Sequence, residues 1–246
     1  MNLDIAYVSE PGERSNNEDC VDVITTDFGT CTVLCDGLGG HADGELASAC
    51  VCASIRKYFQ AVTDSEDIHQ LVYDLILKAQ NDLLQHQIEY GKTDGMKTTC
   101  CCLIIRERQA AAAYVGDSRI YFIRKNKLNI RSKDHSIPQY LVNMGEIREK
   151  DIRHHPDRNK LLRVMGSEWE SPRHQCIELP KLSDKDAFLL WSDGFWEWIE
   201  EKEMLLSLRN SSDSRGWLEQ MKDLVYKYGC GKHMDNLSAI TVKCRK

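Results

Sequence analysis

Thr32-Val-Leu-Cys-Asp36-Gly37-Leu-Gly-Gly-His41 is the stretch from which the rest of this 246-residue chain can be read. Four residues without polar alternation run straight into Asp-Gly. An apolar run of that length, bounded by Gly or Asp, reads as a buried strand meeting a turn. Asp is a poor strand residue and expensive to bury unless it is paired or bound to a metal. The figure then repeats. Residues 110–115 lead into Gly116-Asp117, residues 188–191 lead into Ser192-Asp193-Gly194, and Asp235-Asn236 stand ahead of the run 237–242. Any one of these is also an ordinary turn signal. Four of them, three with an adjacent glycine, argue for one shared charge at the ends of four strands, most economically a divalent cation.

Composition narrows the class. The chain is 42% hydrophobic and 28% charged, enough to bury a full core and inconsistent with disorder. Its 32 basic and 38 acidic residues give a net charge of −6, which offers no footprint for nucleic acid or an anionic membrane. No apolar run approaches the roughly 20 residues of a membrane span. The first residues, Met-Asn-Leu-Asp-Ile-Ala-Tyr7, lack a basic segment followed by an apolar stretch. A soluble protein of the cytoplasm is the expectation. The 11 cysteines form no Cys-x-x-Cys pair and sit mostly inside apolar runs, so they read as small core residues in a reducing compartment.

Along the chain, a strand at 4–9 precedes the polar loop 10–17. Residues 21–36 read as a hairpin turning at Asp27-Phe28-Gly29. A helix over 45–61 has Leu46, Ala49, Cys50, Ala53 and Phe59 at helical spacing, and one over 66–89 carries a longer stripe through Leu71, Leu75, Ala79 and Leu83. Strands follow at 98–106, 109–115, 119–124 and 127–132, the last two joined at Lys125-Asn126. Residues 136–175 are polar and hold three of the five prolines, which reads as a mobile insertion. A strand at 186–192, helices at 200–209 and 214–228, and a strand at 237–243 complete the chain. Hairpin strands with paired helices predict an α+β architecture, helices packed outside antiparallel sheets.

Carboxylates and carbonyls without a His or Cys cluster suit Mg²⁺ or Mn²⁺ rather than zinc. Several carboxylates can hold two such ions roughly 3.5–4 Å apart, the spacing that activates water for in-line attack on phosphorus. Arg14, upstream of Glu18 and Asp19, is placed to hold phosphate oxygens bidentately. There is no Gly-x-Ser-x-Gly elbow, P-loop or Cys-x5-Arg run to supply another nucleophile.

In order, the chain reads Arg14-Ser-Asn-Asn-Glu-Asp19, Asp36-Gly-Leu-Gly-Gly-His41, Thr98-Thr99, Gly116-Asp-Ser-Arg119, Asp134-His-Ser136, Ser192-Asp-Gly194 and Asp235-Asn236. This set resembles the metal-dependent protein phosphatases of type 2C in their compact bacterial form. The resemblance implies a single domain over 1–246, a four-layer α-β-β-α sandwich with a flap at about 136–175. It implies that Asp36 bridges two catalytic Mg²⁺ or Mn²⁺ ions, that the Gly37 carbonyl binds one, and that Asp193 and Asp235 complete the other's shell. Glu18 would act through metal-bound water, Arg14 would bind phosphate, and Asp117 with Asp193 would hold a third, weaker ion. Asp19 and Asn236 would orient these ligands. Leu38 departs from the many eukaryotic members that carry a His there, so the leaving group's acid must be another group. His41 reads as a structural holder of its loop, and Arg119 as the partner of a carboxylate in the fold.

The expected activity is hydrolysis of phosphoserine and phosphothreonine in proteins, opposing a serine/threonine kinase, by a monomer. Two other classes stand beside it. A non-catalytic partner-binding module on the same fold predicts a lost metal aspartate. A two-metal nuclease predicts a basic groove.

Overall fold

The computed structural model describes residues 1–38, 43–63, 66–92 and 95–246. Its strands are β1 (Asn2–Glu10), β2 (Asp19–Thr25), β3 (Thr30–Leu38), β4 (Lys97–Thr98), β5 (Cys100–Arg106) and β6 (Gln109–Val115). They continue with β7 (Arg119–Arg124), β8 (Lys127–Arg131), β9 (Gln175–Glu178), β10 (Ala187–Trp191) and β11 (Leu237–Arg245). One antiparallel sheet has the order β1-β11-β10-β7-β8, and the other β2-β3-β5-β6-β9, with β4 paired to β3. Helices α1 (Asp43–Gln60) and α2 (Ile68–Tyr90) cover the second sheet. The first sheet is covered by α4 (Asp193–Trp196), α5 (Glu201–Asn210) and α6 (Ser214–Gly229). The short α3 (Ile137–Asn143) lies in the segment between β8 and β9.

Strand alternation builds three apolar layers from two sheets. In β5, Cys101, Leu103 and Ile105 face the space between the sheets, while Cys100, Cys102 and Ile104 face α1 and α2. In β10, Phe188 and Leu190 point between the sheets, and Leu189 and Trp191 point to α4–α6. Both faces of these strands are buried, which is why they read as unbroken apolar runs. The four-layer α-β-β-α sandwich follows. All 11 cysteines are free thiols, nine of them buried or half-buried within the three layers and their margins.

Three expectations shift. The buried face of α1 is Gly44, Ala47, Ser48, Val51, Cys52, Ile55 and Phe59, while Leu46 is 40% exposed and Ala49 and Ala53 also face outward. Small residues win that face because α1 starts hard against the end of β3. A Cβ on Gly37 would lie 2.4 Å from the Gly44 carbonyl oxygen. The strand expected over 98–106 breaks at Thr99, whose hydroxyl is needed elsewhere. The insertion also behaves as two parts. Its first part forms α3 and a 3₁₀ turn over Glu149–His154. Its second part is tied into the body, with Met165 fully buried and bridged to Thr98, and it ends by adding β9 to a sheet.

Two glutamines explain that anchoring. Gln80 and Gln87 continue the apolar stripe of α2 and are buried. The Gln80 amide donates to the Ser167 carbonyl at 2.6 Å and accepts from Gly166 N at 2.8 Å. Gln87 Nε2 donates to the carbonyls of Met96 at 3.0 Å and Gly166 at 2.8 Å.

Candidate active site

Four strand ends meet at one edge of the sandwich. β3 ends in Asp36-Gly37, directly opposite Asp19 at the start of β2. Asp117 follows β6, Asp193 follows β10, and Asp235 precedes β11. Two of these ends come from each sheet, so only the packing of the two sheets brings them together. Arg14, Glu18, Asp36, Gly37, Asp117, Asp193 and Asp235 all line one cavity of about 540 Å³. Leu38, Ser15, Asn16, Asn159, Leu161 and Asn236 complete its walls. Gly39, Gly40 and His41 lie outside the described residues.

Hydroxyl and amide groups hold the strand ends in place. The Asp36 N–H donates to Thr99 Oγ1 at 2.9 Å, and that oxygen lies 2.7 Å from Ser118 Oγ beside Asp117. The Asp117 carbonyl accepts from Trp196 Nε1 at 3.1 Å. Arg119 stacks on Trp196 with 3.6 Å from guanidinium to ring, and grips Asp134 bidentately at 2.9 and 2.7 Å. Asp134 is therefore the carboxylate that Arg119 pairs with. The next residue, His135, accepts from Gly116 N at Nδ1 (3.1 Å), which leaves its Nε2 proton for Gln175 Oε1 at 3.1 Å. Burial pushes His135 down to about 4, so it stays neutral in this role.

Asn236 does more than expected of it. Its Oδ1 accepts from Glu18 N at 2.8 Å, and its Nδ2 donates to the carbonyls of Pro11 (3.0 Å) and Asn16 (2.7 Å). One side chain thus staples the loop carrying Arg14 and Glu18 to the start of β11. Gly194 permits this approach, since a Cβ there would lie 2.1 Å from the Asn236 carbonyl oxygen. Asp19 Oδ2 accepts from Ser192 Oγ at 3.1 Å.

The electrostatics are lopsided. Arg14 Nη2 meets Asp235 Oδ2 at 2.8 Å, the one ion pair among the cavity's charged side chains that the described residues show. Against it stand Glu18, Asp36, Asp117 and Asp193. Burial raises Asp36 well above the usual carboxylate range, and the neighbouring charges of Asp19, Asp193, Asp117 and Asp235 add to it. Burial and Asp193 raise Asp117 in the same way. Asp193 is pushed to about 6 by burial and Asp235, and Asp19 to about 7 by burial foremost. Glu18 is raised by burial and then by Asp235. Asp19 Oδ1 is buried without a hydrogen-bond partner in the described structure. Carboxylates this close cannot all ionise unless positive charge arrives.

The donor set fits a hard divalent ion: carboxylate oxygens and a glycine carbonyl, with no thiolate or imidazole among the cavity's described residues. Among the described residues, no three acidic, His or Cys side chains already close on a common centre. Asp235 is drawn to Arg14, and a hydrogen bond joins the carboxyls of Asp36 and Asp193.

The Thr98-Thr99 and Asp134-His-Ser136 motifs supply these clamps. Asn159 and Leu161, read from sequence only as flap residues, stand in the cavity wall. No local signal marks them, because 24 intervening positions separate Ser136 from Leu161, its bridge partner.

The profile of the family described as Protein phosphatase 2C matches residues 11–239, and the chain belongs to that family. The serine/threonine phosphatase Stp of Listeria monocytogenes is 30% identical over 195 residues, 78% of this chain and 77% of that protein. The crystal structure of the serine/threonine phosphatase Stp1 from Staphylococcus aureus superposes with a TM-score of 0.89 at 28% identity, covering 100% of this chain and 96% of that one. The catalytic domain of the serine/threonine protein phosphatase PstP, solved in complex with 2 manganese ions, shares the fold with a TM-score of 0.82 at 24% identity over 100% of both chains.

Proposed function

We propose that this chain is a Mg²⁺- or Mn²⁺-dependent phosphatase hydrolysing phosphoserine and phosphothreonine in proteins. The observation that carries the reading is the meeting of Asp36, Asp117, Asp193 and Asp235, two from each sheet, in one cavity with a single arginine at its mouth. Family membership and the phosphatase relatives support it.

When bound, divalent cations supply the charge that makes water a nucleophile towards phosphorus at neutral pH. Asp36 would face both ions, with the Gly37 carbonyl beside one. Asp193 and Asp235 would hold the other, Asp117 with Asp193 a third, and Glu18 would reach its ion through solvent. Each of these carboxylates lines the cavity, and their mutual repulsion disappears once cations neutralise them. Arg14 would leave Asp235 and present its planar fork to two phosphate oxygens. Leu38 cannot donate a proton, so the leaving alkoxide takes its proton from solvent or another group. Asn236 and Ser192 would keep Glu18 and Asp19 aimed.

The chain would act as one catalytic domain with 136–175 as its flap, as a monomer opposing a serine/threonine kinase in the cytoplasm. Among the described residues no helix is long and apolar enough to cross a membrane. The deciding assay is release of phosphate from a phosphothreonine peptide by purified protein. Turnover with Mn²⁺ that stops on chelation is expected. Turnover that survives chelation, or none in Mn²⁺, overturns the reading.

A further inference from the structure

Beside the carboxylate cavity lies a second depression of about 380 Å³. The two share Leu38, Asn159 and Leu161 as wall residues, so a chain seated in one passes into the other. The charge of the second is one-sided: Lys97, Arg163 and Arg173 line it, and among the described residues no carboxylate does. Among the described residues, none of these three cations meets a carboxylate in an ion pair. That concentration is local, since the whole chain carries six more acidic than basic side chains (38 against 32).

A larger cavity differs in this respect. That cavity, about 710 Å³ between β8, the 3₁₀ turn and α5, is also rich in arginine. Its arginines are already answered: Arg131 meets Glu149 at 2.5 Å, Arg119 meets Asp134 at 2.7 Å, and Arg153 faces Glu201 at 3.7 Å. In the smaller groove, among the described residues, the arginines have no carboxylate opposite them.

Its floor is preformed. Gln80 and Gln87 fix the backbone at Gly166 and Ser167, and Trp169 Nε1 donates to the Val164 carbonyl at 3.2 Å. Leu162, 49% exposed, adds an apolar contact at the rim. A rigid, unpaired basic groove binds an anionic segment with little ordering penalty of its own.

We propose that this groove reads the peptide flanking the phosphorylated residue and selects segments carrying Asp or Glu. The inference rests on the phosphatase reading above and names its substrate class. The side chains of Arg163 and Arg173 act as specificity determinants, remote from the reacting phosphorus.

The test compares phosphothreonine peptides with acidic, neutral and basic flanks, placed on either side, and a small aryl phosphate. With wild-type protein, an acidic flank on one side should lower KM about fivefold against the neutral peptide, an advantage that shrinks as salt rises. The double variant Arg163→Gln/Arg173→Gln should lose that advantage while keeping its turnover of the aryl phosphate and the neutral peptide. Equal KM values for acidic and neutral flanks in the wild type overturn the groove's role, as does a preference that the variant retains. Absence of hydrolysis of every substrate by the wild type in Mn²⁺ sinks the phosphatase reading instead. A variant that loses aryl phosphate turnover assigns these arginines to the site's integrity and likewise overturns the proposal.

Discussion

Arg14 illustrates how one side chain can serve two partners in turn. Its guanidinium is 59% exposed and rests on Asp235 at 2.8 Å, and that hydrogen bond raises its already high pKa. An exposed pair of this kind contributes little to folding. Arg14→Ala should therefore leave the melting temperature within about a degree, because it removes only a surface contact. KM for a phosphopeptide should rise about tenfold, the weight of a charge-assisted contact to phosphate. The affinity for Mn²⁺ should not weaken, since Asp235 loses a competing cation. Steady-state kinetics across a Mn²⁺ series check both points, and an unchanged KM removes Arg14 from the substrate. Asp193 tests the opposite case. Asp193→Asn keeps the shape and deletes a buried charge that raises Asp36 and Asp117 and is itself raised by burial and Asp235. Hydrolysis should fall by at least about a hundredfold while the chelated protein becomes more stable. A chelated variant less stable than wild type contradicts the repulsion argument.

Among the elements, α2 carries the clearest lesson in reading amphipathic stripes. Its apolar face, Leu71, Leu75, Ile76, Ala79 and Leu83, is legible at helical spacing. Gln80 and Gln87 share that face, and a stripe that includes glutamine signals a backbone partner rather than a gap. Gln87→Ala leaves the carbonyls of Met96 and Gly166 buried with one donor fewer, which should lower the unfolding free energy by about 2 kcal/mol. Urea titration measures it, and a change under about 0.5 kcal/mol would mean that water replaces the amide. On α1 the spacing of Leu46, Ala49 and Ala53 points to the wrong face. The deciding residues there are Gly44, Ala47 and Ser48, whose smallness lets the helix meet β3, with Ser48 Oγ donating to the Glu18 carbonyl at 2.6 Å. Hydrophobic spacing cannot register a contact made by the absence of side chain.

For the molecule as a whole, the buried carboxylates couple stability to pH and to cations. Asp19 at about 7 and Asp193 at about 6 lie above the ordinary 3.8 of an unfolded aspartate. A carboxyl raised on folding contributes stability below its unfolded pKa and loses it as pH rises through the folded value. The chelated protein should therefore be more stable at pH 5 than at pH 8, by on the order of a few kcal/mol, losing that margin progressively from pH 5 to about pH 7. Saturating Mn²⁺ should reverse the trend, because the cation binds the ionised carboxylates and protons compete with it. Thermal melts at both pH values, with chelator and with Mn²⁺, measure this. A chelated protein that is steadily stabilised from pH 5 to pH 8 overturns it.

Much of this could be read without coordinates because the determining signals are local. Asp36, Asp117, Asp193 and Asp235 stand out since a carboxylate at the end of an apolar run violates strand chemistry wherever it occurs. The α+β class follows from run lengths, and the sandwich from the resemblance those motifs carry. What tertiary structure alone decided is which distant groups complete the site. Asn236 stapling Glu18 depends on the two sheets packing face to face, Thr99 bridging Asp36 to Ser118 on the order of strands within one sheet, and Arg163 with Arg173 lining a groove beside Leu161 on the path the chain takes between β8 and β9. Those contacts join residues tens to hundreds of positions apart, and each side chain is unremarkable in its own stretch of chain. Periodicity records which face of an element is buried, whereas the packing of one element on another sets what that face meets.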